Sequence, residues 1–281
     1  MTVSNFRVRL MNRSEVDLAI AWAALEGWNP GNCDAECFYQ IDKQGFFIGE
    51  LNGEPIGCIS AVAYDDNFGC IGFYIVKPEY RGHGYGMQLW TSAVSYLGAK
   101  RNIGLDGVIA QQKNYKKSGF QIAYNHIRYE GKSNGTLSPD IVELSTVPLR
   151  ALVAYDQPFF PAERSNFLQS WIAPPHRIAL GIKSNDALVG YGVIRQSHTG
   201  FRVGPLFADS EQIAEKILLA LFAKSQDASV FMDIPDANPI AITLAQRYGM
   251  EPVSECAIMY TKGAPNLPIN RIFAVTTVEV G

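Results

Sequence analysis

The chain has 281 residues, with 24 Lys+Arg against 27 Asp+Glu for a formal net charge of −3, and a pI of about 5.8. Its 47% hydrophobic, 18% charged and 11% aromatic residues exclude a disordered, collagen-like or disulfide-built chain and leave room for one large or two ordinary globular domains. Basic and acidic residues run 13 to 14 over positions 1–140 and 11 to 13 thereafter, so no basic cluster favours nucleic acid or an anionic membrane, and any anionic ligand must be held locally.

In chain order, residues 6–10 alternate as a strand does. Ser14 with Asp17 three residues on reads as a capping box, opening an amphipathic helix through Ile20, Ala21, Ala24 and Leu25 that stops near Gly27. After the turn-rich Trp28-Asn29-Pro30-Gly31, Asp34 is placed to cap a second short helix ending near Asp42. Residues 46–51 and 55–64 flank Asn52-Gly53, a strong hairpin signal, and 70–76 is the next strand, ended by Pro78. Met87, Leu89, Trp90, Ala93, Val94 and Leu97 recur at helical spacing and predict a helix over 84–99. Strands at 104–109 and 120–129 enclose a short helix at 114–118.

The polar Gly131-Lys132-Ser133-Asn134-Gly135-Thr136 then interrupts the pattern. Beyond it, 141–146 reads as a strand, 162–171 as a helix, and 178–182 with 188–194 as a hairpin around Asn185-Asp186. A strand at 201–207, a helix at 211–224, a strand at 230–234, a helix at 239–248 and a strand at 253–261 follow. Asn52-Gly53 and Gly57 are answered by Asn185-Asp186 and Gly190, both at a step of 133 residues. That period is too long for a solenoid and predicts two related mixed α/β domains, 1–132 and 141–281, joined by a linker at 133–140.

Cys33, Cys37, Cys58, Cys70 and Cys256 are odd in number and lack the His spacing of a zinc site, so they read as reduced thiols packed as small hydrophobes, with no metal. The opening ten residues hold no apolar h-region and no run reaches the roughly 18 apolar residues of a membrane span, so the expected location is cytoplasmic.

The sharpest local feature is Arg81-Gly82-His83-Gly84-Tyr85-Gly86 between a strand and a helix. Glycines let a backbone approach an anion closely, free N–H groups at a helix start point at it, and Arg81 adds a forked charged donor. No Gly-Lys-Ser/Thr follows, so this is not a P-loop, and there is no dinucleotide fingerprint. With its approach Ile75-Val76-Lys77-Pro78-Glu79-Tyr80, the segment resembles the strand and acetyl-CoA loop (Q/R-x-x-G-x-G/A) of GNAT (Gcn5-related) N-acetyltransferases. Tyr115-Lys116-Lys117-Ser118-Gly119-Phe120 resembles the same family's Tyr-x-x-x-Gly-Phe. In the second half, 238–250 resembles the family's last helix with Ala245 in the tyrosine slot, and 204–210 has no glycine loop. The whole chain thus resembles tandem-GNAT proteins of the YitH-like type, with a degenerate second copy.

The resemblance implies two GNAT-like domains of the acyl-CoA N-acyltransferase fold, mixed twisted sheets flanked by helices. It also implies transfer of an acetyl group from acetyl-CoA to an amine. Carried over, Ile75 and Val76 hold the pantetheine arm, Arg81, Gly82, His83, Gly84, Tyr85 and Gly86 hold the pyrophosphate, and Tyr115 protonates the leaving thiolate, as a phenol near pKa 10 can. The family's usual acidic base position is Cys70 here, so the base is unassigned among Glu26, Asp66 and Asp106, or the acceptor arrives deprotonated. Trp28, Asn29, Asp66 and Asp156 are placed at the acceptor; Asp156 with Phe160, Arg164 and Trp171 either lines an acceptor pocket between the domains or staples the second domain together. His126, His176 and His198 receive no role. The expected partner is a small-molecule or peptide amine, acylated by direct transfer in a ternary complex, with no nucleic acid, no membrane and a monomeric chain. The rivals are a non-catalytic acetyl-CoA sensor or scaffold and a transferase of a longer acyl group.

Overall fold

In the computed structural model, which describes residues 5–281, the two hairpin signals are turns of one kind. Asn52 and Gly53 lie at φ 53° and 87°, and Asn185 and Asp186 at 47° and 64°, the paired positive values that match a tight turn to strand twist. Met1–Ser4, the start of the segment read as lacking a signal, lie outside the described residues.

The first half runs β1 (Phe6–Leu10), α1 (Arg13–Leu25), α2 (Asp34–Ile41), β2 (Phe46–Leu51), β3 (Glu54–Ala63), β4 (Phe68–Val76), α3 (Tyr85–Leu97), β5 (Asn102–Val108), α4 (Gln112–Lys117) and β6 (Gln121–Lys132). The second runs β7 (Ile141–Glu143), α5 (Leu149–Asp156), α6 (Ser165–Trp171), β8 (Arg177–Ser184), β9 (Ala187–Gln196), β10 (Phe201–Ala208), α7 (Glu211–Phe222), β11 (Ser229–Pro235), α8 (Pro239–Arg247), β12 (Glu251–Tyr260) and β13 (Ile272–Ala274). Several local expectations are corrected. The capping box of α1 is Asn12 with Glu15, because Ser14 already lies inside the first turn. Asp34 accepts from its neighbour Gly31 N at 3.1 Å but is otherwise claimed by Arg177 and Arg195, each 3.0 Å away. It does not cap α2. Residues 144–146 form a 3₁₀ turn rather than the end of a strand. Neither α5 nor β13 was legible.

The strands form one mixed sheet in the order β1-β2-β3-β4-β5-β12-β6-β11-β10-β9-β8-β7, with β13 on β10. Each half thus supplies its last long strand to the other: β12 pairs with β5 (Ile258 opposite Asp106) and β6 with β11 (Tyr129 opposite Met232). Residues 133–140 carry no regular strand or helix but are anchored, Ser133 N bonding Ala228 O at 3.0 Å and Asp227 N bonding Ser133 O at 2.9 Å.

β4 and β5 are parallel only from Phe68 opposite Asn102 to Ile71 opposite Leu105. Two residues on, Phe73 sits at φ 45° beside a register shift against β3 between Cys58 and Ser60. Such a bulge bends its strand and ends the pairing, so β4 splays from β5. In the second half, β10 and β11 part after Val203 opposite Met232, and β13 fills the gap, pairing Leu206 with Ala274 and Phe207 with Ile272.

α3 packs Leu89, Trp90, Ala93 and Leu97 on one sheet face against Phe47, Ile59 and Ala61. α1 and α2 cover the other face, where the core is shared with the second half: Trp171 stacks on Phe38 with centroids 5.9 Å apart, and Arg177 and Arg195 lie 4.8 and 4.5 Å above the same indole. A second buried network ties β6, β10, β11 and the C-terminal segment together. Arg128 grips Asp233 through two bonds of 2.7 and 2.9 Å, and Arg202 reaches both Asp233 and Glu279 at 2.5 Å.

Two outcomes follow. A Cβ on Gly72 would lie 1.8 Å from the Glu279 carbonyl, so Gly72→Ala must displace the 276–281 segment and should lower stability by about 1–3 kcal/mol in urea unfolding. Burial pushes the Asp233 carboxyl up, but the Arg128 and Arg202 charges outweigh it and hold it well below the usual range. Its contribution is therefore complete above the unfolded value near 3.9 and lost as pH falls below it. Asp233→Asn should cost about 3–5 kcal/mol at pH 7, with the gap to wild type narrowing by about 1 kcal/mol between pH 5 and pH 3; a gap independent of pH would contradict the pairing.

Candidate active site

The loop after β4 places Gly82 and Gly84 at φ 82° and 83°, a region side chains disfavour, and an added Cβ would meet nothing within 4 Å at either. Gly84 is the N-cap of α3 and no side chain caps this helix. Its first-turn N–H groups, the positive end of the helix dipole, face an exposed glycine loop, which suits an anion. Tyr85 packs on Phe6, with centroids 4.6 Å apart, and His83 is exposed. The Arg81 side chain is turned back: Nε donates to Val76 O at 2.7 Å and Nη2 pairs with Glu26. Ile75 and Val76 pair with β3 on one side and have no β5 partner on the other.

Where β4 leaves β5 there is a cavity of about 320 Å³, within the small end of ligand sites. Ile71, Phe73 and Tyr74 of β4, Leu105 and Asp106 of β5, Tyr115, His126, and Glu26 with Trp28 are among its lining. Tyr115 is buried against Trp90 at 5.5 Å, and burial pushes its phenol up to about 12. It therefore stays protonated across the physiological range and can donate a proton to a developing anion.

Asp106 meets a residue that received no role in the sequence reading. Its Oδ1 lies 2.6 Å from His126 Nδ1 and accepts from Cys256 Sγ at 3.4 Å. Because a carboxylate only accepts, Nδ1 carries the proton. His126 Nε2 is buried with no hydrogen-bond partner among the described residues. Ligand atoms of the three residues lie within 4.8 Å of one another, but the 2.6 Å contact is a hydrogen bond, shorter than the roughly 3.3 Å between two ligands of one zinc ion. The Cys256 thiol is pushed well up by burial and by Asp106.

The structure thus brings together Glu26, Trp28, Asp106 and Tyr115. It does not bring in the others. Asp66 is 82% exposed, with Lys100 and Arg101 at 3.8 and 3.9 Å. Asn29 is committed to the Thr199 backbone through bonds of 3.0 and 2.8 Å. Asp156 is buried between Arg164 and Tyr191, a core pair rather than an acceptor contact. Trp171 is buried in the shared core. Phe160 lines only a smaller cavity of about 60 Å³ with Cys70, whose thiol burial pushes far up, which is unfavourable for a nucleophile.

Comparison with known proteins agrees with this geometry. Residues 16–120 match the family described as acetyltransferase (GNAT) family and residues 152–274 an acetyltransferase (GNAT) domain. The chain is 33% identical over 263 residues to the holothin acyltransferase of Pseudoalteromonas sp. (strain SANK 73390), covering 92% of this chain and 89% of that protein. It is 26% identical to YitH of Bacillus subtilis (strain 168), named an uncharacterized N-acetyltransferase, over 85% of this chain and 86% of that one. A crystal structure of a candidate acetyltransferase from Pyrococcus horikoshii superposes with a TM-score of 0.84 at 21% identity, covering 100% and 98% of the two chains. The splayed β4/β5 pair, the uncapped glycine loop and these relatives together assign the chain to the GNAT acyltransferase family, as a protein of two tandem GNAT domains.

Proposed function

We propose that this protein moves an acetyl group from acetyl-CoA to a small-molecule amine by direct transfer. The observation that carries the reading is the single splayed gap, which has an open helix N-terminus at the end of β4 and a buried, protonated Tyr115 in its wall. The backbone of Arg81 to Gly86 fits a pyrophosphate, since two left-handed glycines with open surroundings and free N–H groups are what a phosphate needs. The edge of β4 at Ile75 and Val76, without a β5 partner, suits the pantetheine amides once Arg81 Nε releases Val76 O. To join the phosphate site, Arg81 must give up Glu26. Tyr115 supplies the proton to the leaving sulfur. Cys70, buried outside the larger cavity, offers no acyl-accepting thiolate, which supports a ternary complex.

The second copy is assigned no donor site, as β13 occupies its gap and Ser210 caps α7 with its own hydroxyl. A cavity of about 320 Å³ suits a small amine better than a folded peptide, and the relative's name makes holothin the first acceptor to try. The proposed setting is a cytoplasmic monomer; among the described residues no helix is long and apolar enough to cross a membrane.

Calorimetric titration of acetyl-CoA should give micromolar binding, about −8 kcal/mol, abolished in Gly84→Asp, which sets a side chain and a negative charge at the anion site. No binding to wild type would sink the reading. Tyr115→Phe should keep that affinity and lower kcat about 10²–10⁴-fold when free CoA is followed with holothin, tryptamine and spermidine. Tight binding without turnover would instead indicate a sensor, and a preference for octanoyl-CoA a longer acyl group.

A further inference from the structure

The acyltransferase reading leaves the acceptor's proton without a destination, because the strand position that carries the usual carboxylate holds Cys70. Glu26 is tied to Arg81, Asp66 lies on the surface, and Glu255, a further carboxylate of the cavity lining, is solvent-exposed. Among the residues that line the cavity, one carries a buried nitrogen that is both unpaired and correctly prepared. Asp106 accepts from His126 Nδ1 at 2.6 Å, which fixes the tautomer and leaves the lone pair on Nε2. That atom is buried and has no partner among the described residues. An orphaned polar atom beside a ligand-sized cavity is costly unless something arrives to use it. Asp106, His126 and Tyr115 line the larger cavity, and Asp106 and His126 form the wall it shares with the smaller one.

We propose that His126, oriented by Asp106, is the general base that takes the proton of the amine acceptor, directly or through one water, before the amine attacks the thioester; this rests on the acyltransferase reading above. In full, an ammonium acceptor gives one proton to His126 Nε2. The freed lone pair forms the bond to the thioester carbonyl carbon, and the C–S bond breaks with its electrons on sulfur, which takes the proton of Tyr115. The nitrogen, now amide, releases its second proton, which restores the Tyr115 phenol through solvent, and His126 returns its proton to solvent. The products are one amide, one CoA thiol and one released proton. Asp106 is a positioning residue: it touches His126 rather than the acceptor.

The groups facing His126 are Asp106 from β5, Cys256 from β12, Asp233 from β11 with Asp236 just beyond it, and Tyr124 and Arg128 on its own strand. Burial disfavours the imidazolium, but the charge and hydrogen bond of Asp106 outweigh it, leaving the ring above its usual 6.5. The base is thus active in its neutral form, and the rate should rise with pH through that raised value.

The test combines NMR of imidazole-labelled protein, without substrate, with pH profiles of kcat/KM using acetyl-CoA and the best acceptor among holothin, tryptamine and spermidine. In the free protein, His126 should titrate above 6.5, and Asp106→Asn, which keeps the shape but removes the charge, should move it down. The alkaline-rising limb of kcat/KM should move down with it. His126→Gln should retain acetyl-CoA affinity, lose that limb and lower kcat/KM at least about 100-fold. A His126→Gln enzyme within threefold of wild type with its limb intact overturns the base while leaving the acyltransferase reading standing. So does a limb that ignores Asp106→Asn while the NMR titration shifts. Wild type that releases no CoA with any of the three amines overturns both.

Discussion

A buried strand edge cannot be left bare, since an unpaired N–H or C=O away from water costs about as much as a lost hydrogen bond, and this chain opens two such edges. The bulge at Phe73 ends the β4–β5 ladder at Ile71 and Leu105, and the break after Val203 does the same between β10 and β11. The two repeats answer the same constraint differently. In the second, the chain returns with β13, and Val275 N bonds Asp233 O at 2.9 Å, closing the gap with protein. In the first, the gap remains a cavity bounded by an uncapped helix start, ready for a ligand with amides and phosphates of its own. The two repeats thus differ, one gap open and one closed, through three residues of additional strand.

The exchange of β6 and β12 between the halves has a chemical consequence. Asp106 lies on β5 and His126 on β6, and in this sheet those strands are not neighbours: β12, from the far end of the chain, stands between them. Ile258 faces both Asp106 and Tyr124, while Cys256 faces both Val108 and His126. The Asp106–His126 hydrogen bond therefore spans β12. The second repeat, without a glycine loop of its own, supplies the strand that brings the pair together and the Arg202–Asp233 wall that anchors Arg128 behind Trp28.

Much of this was legible locally. The tight turns at Asn52-Gly53 and Asn185-Asp186, the glycine loop, Tyr115 and the 133-residue period are encoded by residues close together, where spacing and φ preference speak directly. Glu26, Trp28 and Asp106, singled out from sequence, line the larger cavity. What escaped reading depends on contacts between distant segments. Nothing near His126 in sequence reveals Asp106 across an inserted strand, and β13 is too short a run to stand out. The Phe73 bulge puts a bulky residue in a conformation its type disfavours, so no propensity announces it. Asp156 and Asp34 misled because an acid beside an aromatic suits a pocket or a cap as well as the buried arginine pairs they form.

The charges around the cavity are almost all spent on each other: Glu26 on Arg81, Asp233 on Arg128 and Arg202, Glu279 on Arg202. Buried ions require such pairing, because an uncompensated one would cost several kcal/mol. Two lining groups differ from these, because the surroundings set their protonation without engaging every polar atom. Tyr115, without a charge partner, is driven by burial toward its neutral, proton-bearing form. His126 has one nitrogen engaged by Asp106 and the other free. In the proposed reaction an acid that gives a proton to sulfur and a base that takes one from nitrogen need opposite states at one pH, and burial of Tyr115 beside pairing of His126 favours that division.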